Sequence, residues 1–311
     1  MFLHSKISFL KKTLVAATLI SLGAQALFAD EIHYVGSDFL KGAPANSLNA
    51  AIEKKFGQAP DARLRGSTSG EKELRAGTAD FALLMLPAGG KNLPEVKSGE
   101  WRVFPLAYQV AYVVVASSNP AEKFTFRQLS SIFGNYSDRQ AASWEEAGVA
   151  DFSASLAACV GGRTQTNAVS FFQRKVLPNF ALRPFVRTMI SDAAAFKECV
   201  NAPGTIAIVG TPVPVGMPLK AVAVADDGSS SGNFQENPTP YSPSFVNIYN
   251  GDYPLTIPLY VVYPTKNRFL LKPVLSHLYS QEMADKLTEA GFLPLSFDMR
   301  ATFQKGIDNI R

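Results

Sequence analysis

Apolar positions along this chain form short strand-like runs separated by single amphipathic helical stretches. Glu31–Gly36 reads as a strand that enters the small-residue loop Gly36-Ser37-Asp38. Asn46–Phe56 puts Leu48, Ile52 and Phe56 on one helical face, and Gly57 closes it. A strand then ends at Arg65 and a hydroxyl-rich loop covers Gly66 to Gly70. A helix starts within Thr68–Glu71 and stops at Ala76-Gly77, and an apolar strand follows over Phe81–Leu86. This alternation predicts a layered α/β domain with a mainly parallel sheet.

The pattern then repeats in a second block. Trp101–Ala116 holds two strand-like runs, of which Val110–Val115 is almost continuously apolar, as in a buried strand. Thr125 caps a helix whose face is Phe126, Leu129, Ile132 and Phe133, with Gly134 as its stop. Ser155–Val160 is a strand and Gly161–Thr166 a loop. Asn167–Val176 is a helix ended by Pro178, and Thr205–Val209 and Lys220–Ala225 are strands. Residues 226–243, rich in Ser, Gly and Pro, form a surface loop. A strand over Pro254–Tyr263 and helices within 267–290 and 299–310 complete the chain. The expected arrangement has lobe one built from 30–113 and 246–311 and lobe two from 114–245, with two chain crossings forming a hinge.

Residues 1–29 change the picture of charge and compartment. Lys6, Lys11 and Lys12 precede the apolar segment Leu14–Leu22, and small residues follow at Ala24-Gln25-Ala26 and Ala29, the pattern of a cleaved export signal. Its removal takes away three lysines and no acid, so the formal charge falls from +4 to +1. Such a surface implies neither nucleic acid nor an anionic membrane as partner. Export to the periplasm makes the even count of two cysteines, Cys159 and Cys199, readable as a disulfide, the alternative being two buried thiols. The histidines are His4, His33 and His277, and no pair has metal-ligand spacing.

Three hydroxyl-rich loops each precede a helix, at 36–40, 66–70 and 163–167. Such a loop gathers unpaired backbone N–H groups, hydroxyl donors and the positive end of a helix dipole, which together seat an anion. Around these loops stand Thr78–Ala82, Ser117–Pro120, Phe126–Gly134, Pro203–Ile208, Tyr253–Leu255 and Gly291–Leu295. In this order, from about 31 to 297, the chain resembles the phosphate-binding proteins that serve ABC importers. The resemblance implies an α/β, two-lobed, type II periplasmic-binding-protein fold, with one oxyanion in a cleft between the lobes. It also implies no cofactor, a monomer, and an ABC permease as partner. The ligand set it implies is Ser37, Asp38 and Phe39 from the first loop, Ser67, Thr68, Ser69 and Gly70 from the second, and Arg163 and Asn167 from the third.

Two positions depart from that family's pattern. Where the third loop would carry Ser-Gly-Thr, this chain has Asn167, Ala168 and Val169. Where an aspartate would accept a hydrogen bond from protonated phosphate, it has Met85, which accepts almost nothing. Asp38 is the candidate replacement. Each candidate also has a structural reading: helix capping for the serines, Asp38 and Asn167, an ion pair for Arg163, and core packing for Tyr108 and Tyr112 near the hinge. A repurposed binding fold, serving as sensor, scaffold or adhesion factor, stays open as an alternative. Gly228-Ser-Ser-Ser-Gly232 matches the G-x-S-x-G nucleophile motif, but Gly232–Pro240 cannot readily form the helix that motif requires.

Overall fold

The computed structural model describes residues 31–86, 89–135, 139–162 and 167–310. The export signal at 1–29 and Arg163 lie outside them. In chain order the elements of the first segment are β1 (His33–Gly36), α1 (Ala43–Phe56), β2 (Asp61–Leu64), α2 (Ser67–Arg75), β3 (Phe81–Met85), α3 (Pro94–Lys97) and β4 (Trp101–Val110). The middle segment holds β5 (Tyr112–Ala116), β6 (Lys123–Thr125), α4 (Phe126–Phe133), β7 (Ala157–Val160), α5 (Ala168–Val176), β8 (Arg187–Thr188), α6 (Asp192–Asn201), β9 (Thr205–Val209), β10 (Leu219–Ala221) and β11 (Ala223–Ala225). The last segment returns through α7 (Phe245–Asn250), β12 (Thr256–Pro264), α8 (Lys272–Leu278), α9 (Gln281–Glu289), β13 (Leu293–Pro294) and α10 (Phe297–Asp308).

Local chemistry sets the ends of these elements. Pro44 near the start of α1 supplies a helical φ where no donor is needed, and Gly57 ends the helix in the left-handed region at φ 81°. Thr125 and Gln128 form a reciprocal capping box on α4. The β5 run Val113-Val114-Val115 is completely buried, each side chain worth about 1.5–3 kcal/mol relative to exposure.

Two main sheets make two lobes. The larger has six strands in the order β13-β4-β12-β3-β1-β2, and the smaller has five in the order β10-β5-β9-β7-β8. Neither is mainly parallel, which corrects the sequence expectation. Pairings among β1, β2 and β3 are parallel, as βαβ units require, but β12 runs antiparallel between β3 and β4 because it re-enters from the other lobe. The single strand expected over Lys220–Ala225 is also two. Val222 donates its N–H to Val113 O, and the chain there passes from the smaller sheet to the two-stranded β11-β6 ribbon.

The strand registers fix where the loops emerge. Leu259 of β12 lies opposite both Met85 and Ala107, so β3 and β4 run in the same direction and end at the same edge. Gly36 is level with Leu64 and Leu83, which puts the ends of β1 and β2 there too. In the smaller sheet Val209 pairs with Tyr112 and Val160 with Ile208, so β7 and β9 end where β5 begins. Only Ala111 separates β4 from β5. It donates to Leu255 O, while the buried Tyr253 hydroxyl donates to its carbonyl at 2.9 Å. The carboxyl edges of both sheets therefore face the same crossing. The chain leaves the sheets around it after Gly36, Leu64, Val160 and Val209, the kind of place where open α/β sheets bind ligands.

Candidate functional site

The second loop is the most open of the three. β1 and α2 approach backbone to backbone there. A Cβ on Gly36 would fall 2.2 Å from Leu83 O, and one on Gly70 would fall 3.0 Å from Gly36 Cα. Gly66, at φ 109°, is the N-cap of α2 and offers no side chain. The hydroxyls that follow do not cap the helix, contrary to their structural reading. Ser69 Oγ donates to Glu73 Oε1 at 3.3 Å, and Thr68 is exposed. Ser67 Oγ accepts the Met85 N–H at 2.8 Å, which leaves its own proton without an acceptor among the described residues. Gly70 N–H closes the first turn on Gly66 O, whereas those of Ser67, Thr68 and Ser69 have no backbone partner among the described residues. Three amides and the Ser67 hydroxyl proton are thus available at one helix start.

In the first loop the backbone N–H groups of Ser37 and Phe39 have partners. Ser37 is 2% exposed, donates its N–H to Leu83 O, and accepts the Phe39 N–H on its Oγ at 3.4 Å. Phe39 leans on the hydrophobic core, while Asp38 is exposed at the start of a short 3-10 turn. Of the expected set from this loop, only Asp38 has a side chain free to reach outward.

The third loop differs again. Ala168 and Val169, at the positions expected to carry ligand groups, are buried in the core of the smaller lobe. Asn167 does not cap α5 with its side chain; its Oδ1 accepts from Arg174 Nη2 at 3.3 Å. Its backbone N–H instead donates to Gln109 Oε1 at 3.2 Å. Gln109 is a buried residue of β4, and no motif marks it. The available signal was a polar residue inside the apolar run Trp101–Val115 next to the crossing. Asp192, 6% exposed, packs against Gly161 just before this loop, and its Oδ2 accepts from Gly210 N at 2.8 Å and Thr211 Oγ1 at 3.0 Å.

Other candidates settle into structural roles. Tyr108 and Tyr112 are core residues, and burial pushes both phenols well above their usual pKa. Tyr108 packs against Tyr249 with ring centroids 5.3 Å apart and the ring planes tilted by 43°. Arg63 is tied to Glu73 at 2.7 Å and to Asp61 at 3.0 Å. Cys159 on β7 and Cys199 on α6 meet as buried free thiols, where the expectation allowed a disulfide. Their mutual hydrogen bond favours the Cys159 thiolate and, with burial, pushes the Cys199 thiol up.

Gly228–Gly232 is a turn with no helix after the serines. It borders a cavity of about 490 Å³ lined by Arg127, Ser130, Ser131 and Ser229, away from the crossing. A hydroxyl and an imidazole do meet at Ser47 and His277, 3.0 Å apart. Ser47 spends its proton on Glu282 at 2.8 Å, however, so His277 Nε2 faces the hydroxyl as a donor and cannot act as its base. Among the described residues no group of three or more His, Cys, Asp or Glu is placed to hold a metal. No helix among them is long and apolar enough to cross a membrane.

Solved structures with the same architecture include a possible phosphate binding protein from Planctomyces limnophilus DSM 3776, 18% identical, with a TM-score of 0.65 over 91% of this chain and 100% of that one. PstS from Borrelia burgdorferi gives 0.61 at 14% identity over 85% of this chain and 98% of its own. An ABC-type phosphate transport receptor from Vibrio cholerae gives 0.52 at 18% identity over 85% and 100%. At these identities the likeness is one of fold. No curated protein matches the chain in sequence. The family model described as PBP superfamily domain matches residues 29–282. With its two α/β lobes and the carboxyl edges of both sheets turned to one crossing, the chain belongs to the periplasmic-binding-protein (PBP) superfamily.

Proposed function

We propose that this protein is exported to the periplasm, captures a small oxyanion between its lobes, with phosphate as the first candidate, and delivers it to an ABC permease. The observation that carries this reading is the start of α2, where the amides of Ser67, Thr68 and Ser69 and the Ser67 hydroxyl proton stand open at the crevice edge. An anion there gains from the helix dipole as well as from the donors. Phosphate is named because the structures of like fold from Planctomyces and Vibrio are described as phosphate-binding or phosphate-transport proteins. In this reading Arg163 supplies a two-pronged grip from the third loop, and Asp38 accepts the proton of a protonated ligand in place of Met85. Lobe one comprises 30–113 and 246–311 and lobe two 114–245, a division supported by the membership of the two sheets. The protein works as a monomer that closes about the crossing, excluding water from the charge.

A second reading, a binding fold repurposed as a sensor, scaffold or adhesion factor, is favoured by the burial of Ala168 and Val169. Calorimetry of the mature protein with phosphate, sulfate and arsenate, after unfolding and refolding to strip bound ligand, separates the two. Tight phosphate binding that Arg163→Ala abolishes supports the transport role. Silence for all three anions supports the repurposed fold.

A further inference from the structure

Gln109 is the penultimate residue of β4, 1% exposed and opposite Ile257 in the sheet. Its Oε1 accepts the backbone N–H of Asn167. That contact fixes the orientation of the amide, since a backbone donor must face an acceptor. The Nε2 group, with two N–H donors, is then buried and without a hydrogen-bond partner among the described residues. Buried donors are almost always satisfied, so an orphan of this kind asks for an explanation. Asn167 cannot relieve it through Oδ1, which is taken by Arg174.

The position of this amide is informative. Gln109 belongs to the larger sheet and Asn167 opens α5 of the smaller lobe, so one side chain joins the two lobes beside the crossing. The orphaned donors sit at the carboxyl edges of both sheets, where the open amides of α2 also emerge. Ala168 and Val169 bring no hydroxyl to the start of α5.

We infer that Gln109 is a ligand-binding residue: its Nε2 donates to an oxygen of the bound oxyanion from the hinge side, while its Oε1 clasps the start of α5. The ligand class this selects is a small anion rich in acceptor oxygens, because a cation or amine would find only donors there. The inference rests on the proposed oxyanion-binding role. Gln109 then couples binding to closure, because the ligand bond and the inter-lobe bond share one rigid amide.

Two variants of the mature protein test this, Gln109→Glu and Gln109→Met, each followed by calorimetry with phosphate and sulfate and by melting with and without anion. Gln109→Glu keeps an acceptor for Asn167 and replaces the donors with a carboxylate oxygen. Its affinity for the anion that wild type prefers should fall about a hundredfold or more. Gln109→Met keeps the volume and removes the donors, and should weaken binding about tenfold to a hundredfold. Its melting temperature without anion should change little, since the unpaired buried amide is gone but the Asn167 N–H loses its acceptor. Gln109→Met also keeps the test alive should the glutamate variant fail to fold. Wild-type affinity in Gln109→Met overturns the inference and leaves the proposed function standing. A wild type that binds neither anion, nor arsenate, overturns both.

Discussion

In the proposed oxyanion site the starts of α2 and α5 are built by opposite means. The α2 start is a seat made of backbone: Gly36 and Gly70 let two chain segments touch, Gly66 turns the chain at φ 109°, and the donors are amides that no side chain covers. The α5 start is a seat made of side chains: Gln109 reaches in from another lobe and Asp192 packs against Gly161 just before the loop. A backbone seat depends on what is absent at its glycines. A side-chain seat depends on what is present at a few buried polar groups. The two should therefore fail differently when mutated.

The sharpest break is expected at Gly36. It has φ 152°, and an added methyl group would fall 2.2 Å from Leu83 O. Relief requires β1 to move off β3 in the middle of the larger sheet. Gly36→Ala should destabilise the protein by about 3 kcal/mol or more, measured by urea unfolding, with oxyanion binding lost along with the α2 start. A fall of less than about 1 kcal/mol would mean that the close approach of β1 and β3 does not limit this seat.

Asp192 offers the matching test on the other seat. Asp192→Ala strands the Gly210 N–H, a buried donor, and releases Thr211; the expected cost is about 1–3 kcal/mol. Gly161, which packs so closely that a Cβ would fall 1.9 Å from Asp192 Oδ1, gains room to move. The third loop should loosen as a result, and amide exchange at Gly161, Gly162 and Gly210 should quicken while Gly36 and Gly70 stay protected. Uniform loosening of both lobes would show that the seats are not independent.

The contrast also accounts for what the sequence could reveal. The helix face Leu48-Ile52-Phe56 and its Gly57 stop, the Thr125 cap, and the Val113–Val115 strand were all legible, because each is a local pattern with a local cause. The glycines and hydroxyls of 66–70 marked a helix start that leaves donors open. Their division of labour was not legible: Ser67 holds Met85 N–H and Ser69 holds Glu73, and both facts depend on which elements pack together. The antiparallel insertion of β12 was hidden for the same reason, since direction in a sheet is set by where the chain returns from. Gln109 was missed because its meaning comes entirely from Asn167, 58 positions away.

Ser67 gives the smallest effect on stability and separates seat from scaffold. Its oxygen accepts the Met85 N–H, so Ser67→Ala leaves a partly buried donor unpaired at the end of β3, at a cost of about 1 kcal/mol. The proton of the same hydroxyl is free for a ligand, and losing a bond to a charged acceptor is worth about 1.5–3 kcal/mol, a tenfold to hundredfold loss of affinity. Ser67→Thr keeps both functions of the hydroxyl and adds only a methyl group. Calorimetry should therefore rank oxyanion affinity with wild type first, the Ser67→Thr variant close behind, and the Ser67→Ala variant well below. Urea unfolding should place Ser67→Ala near wild type. If Ser67→Ala keeps full affinity, the α2 start binds through amides alone, and the backbone seat is more complete than its hydroxyls suggest.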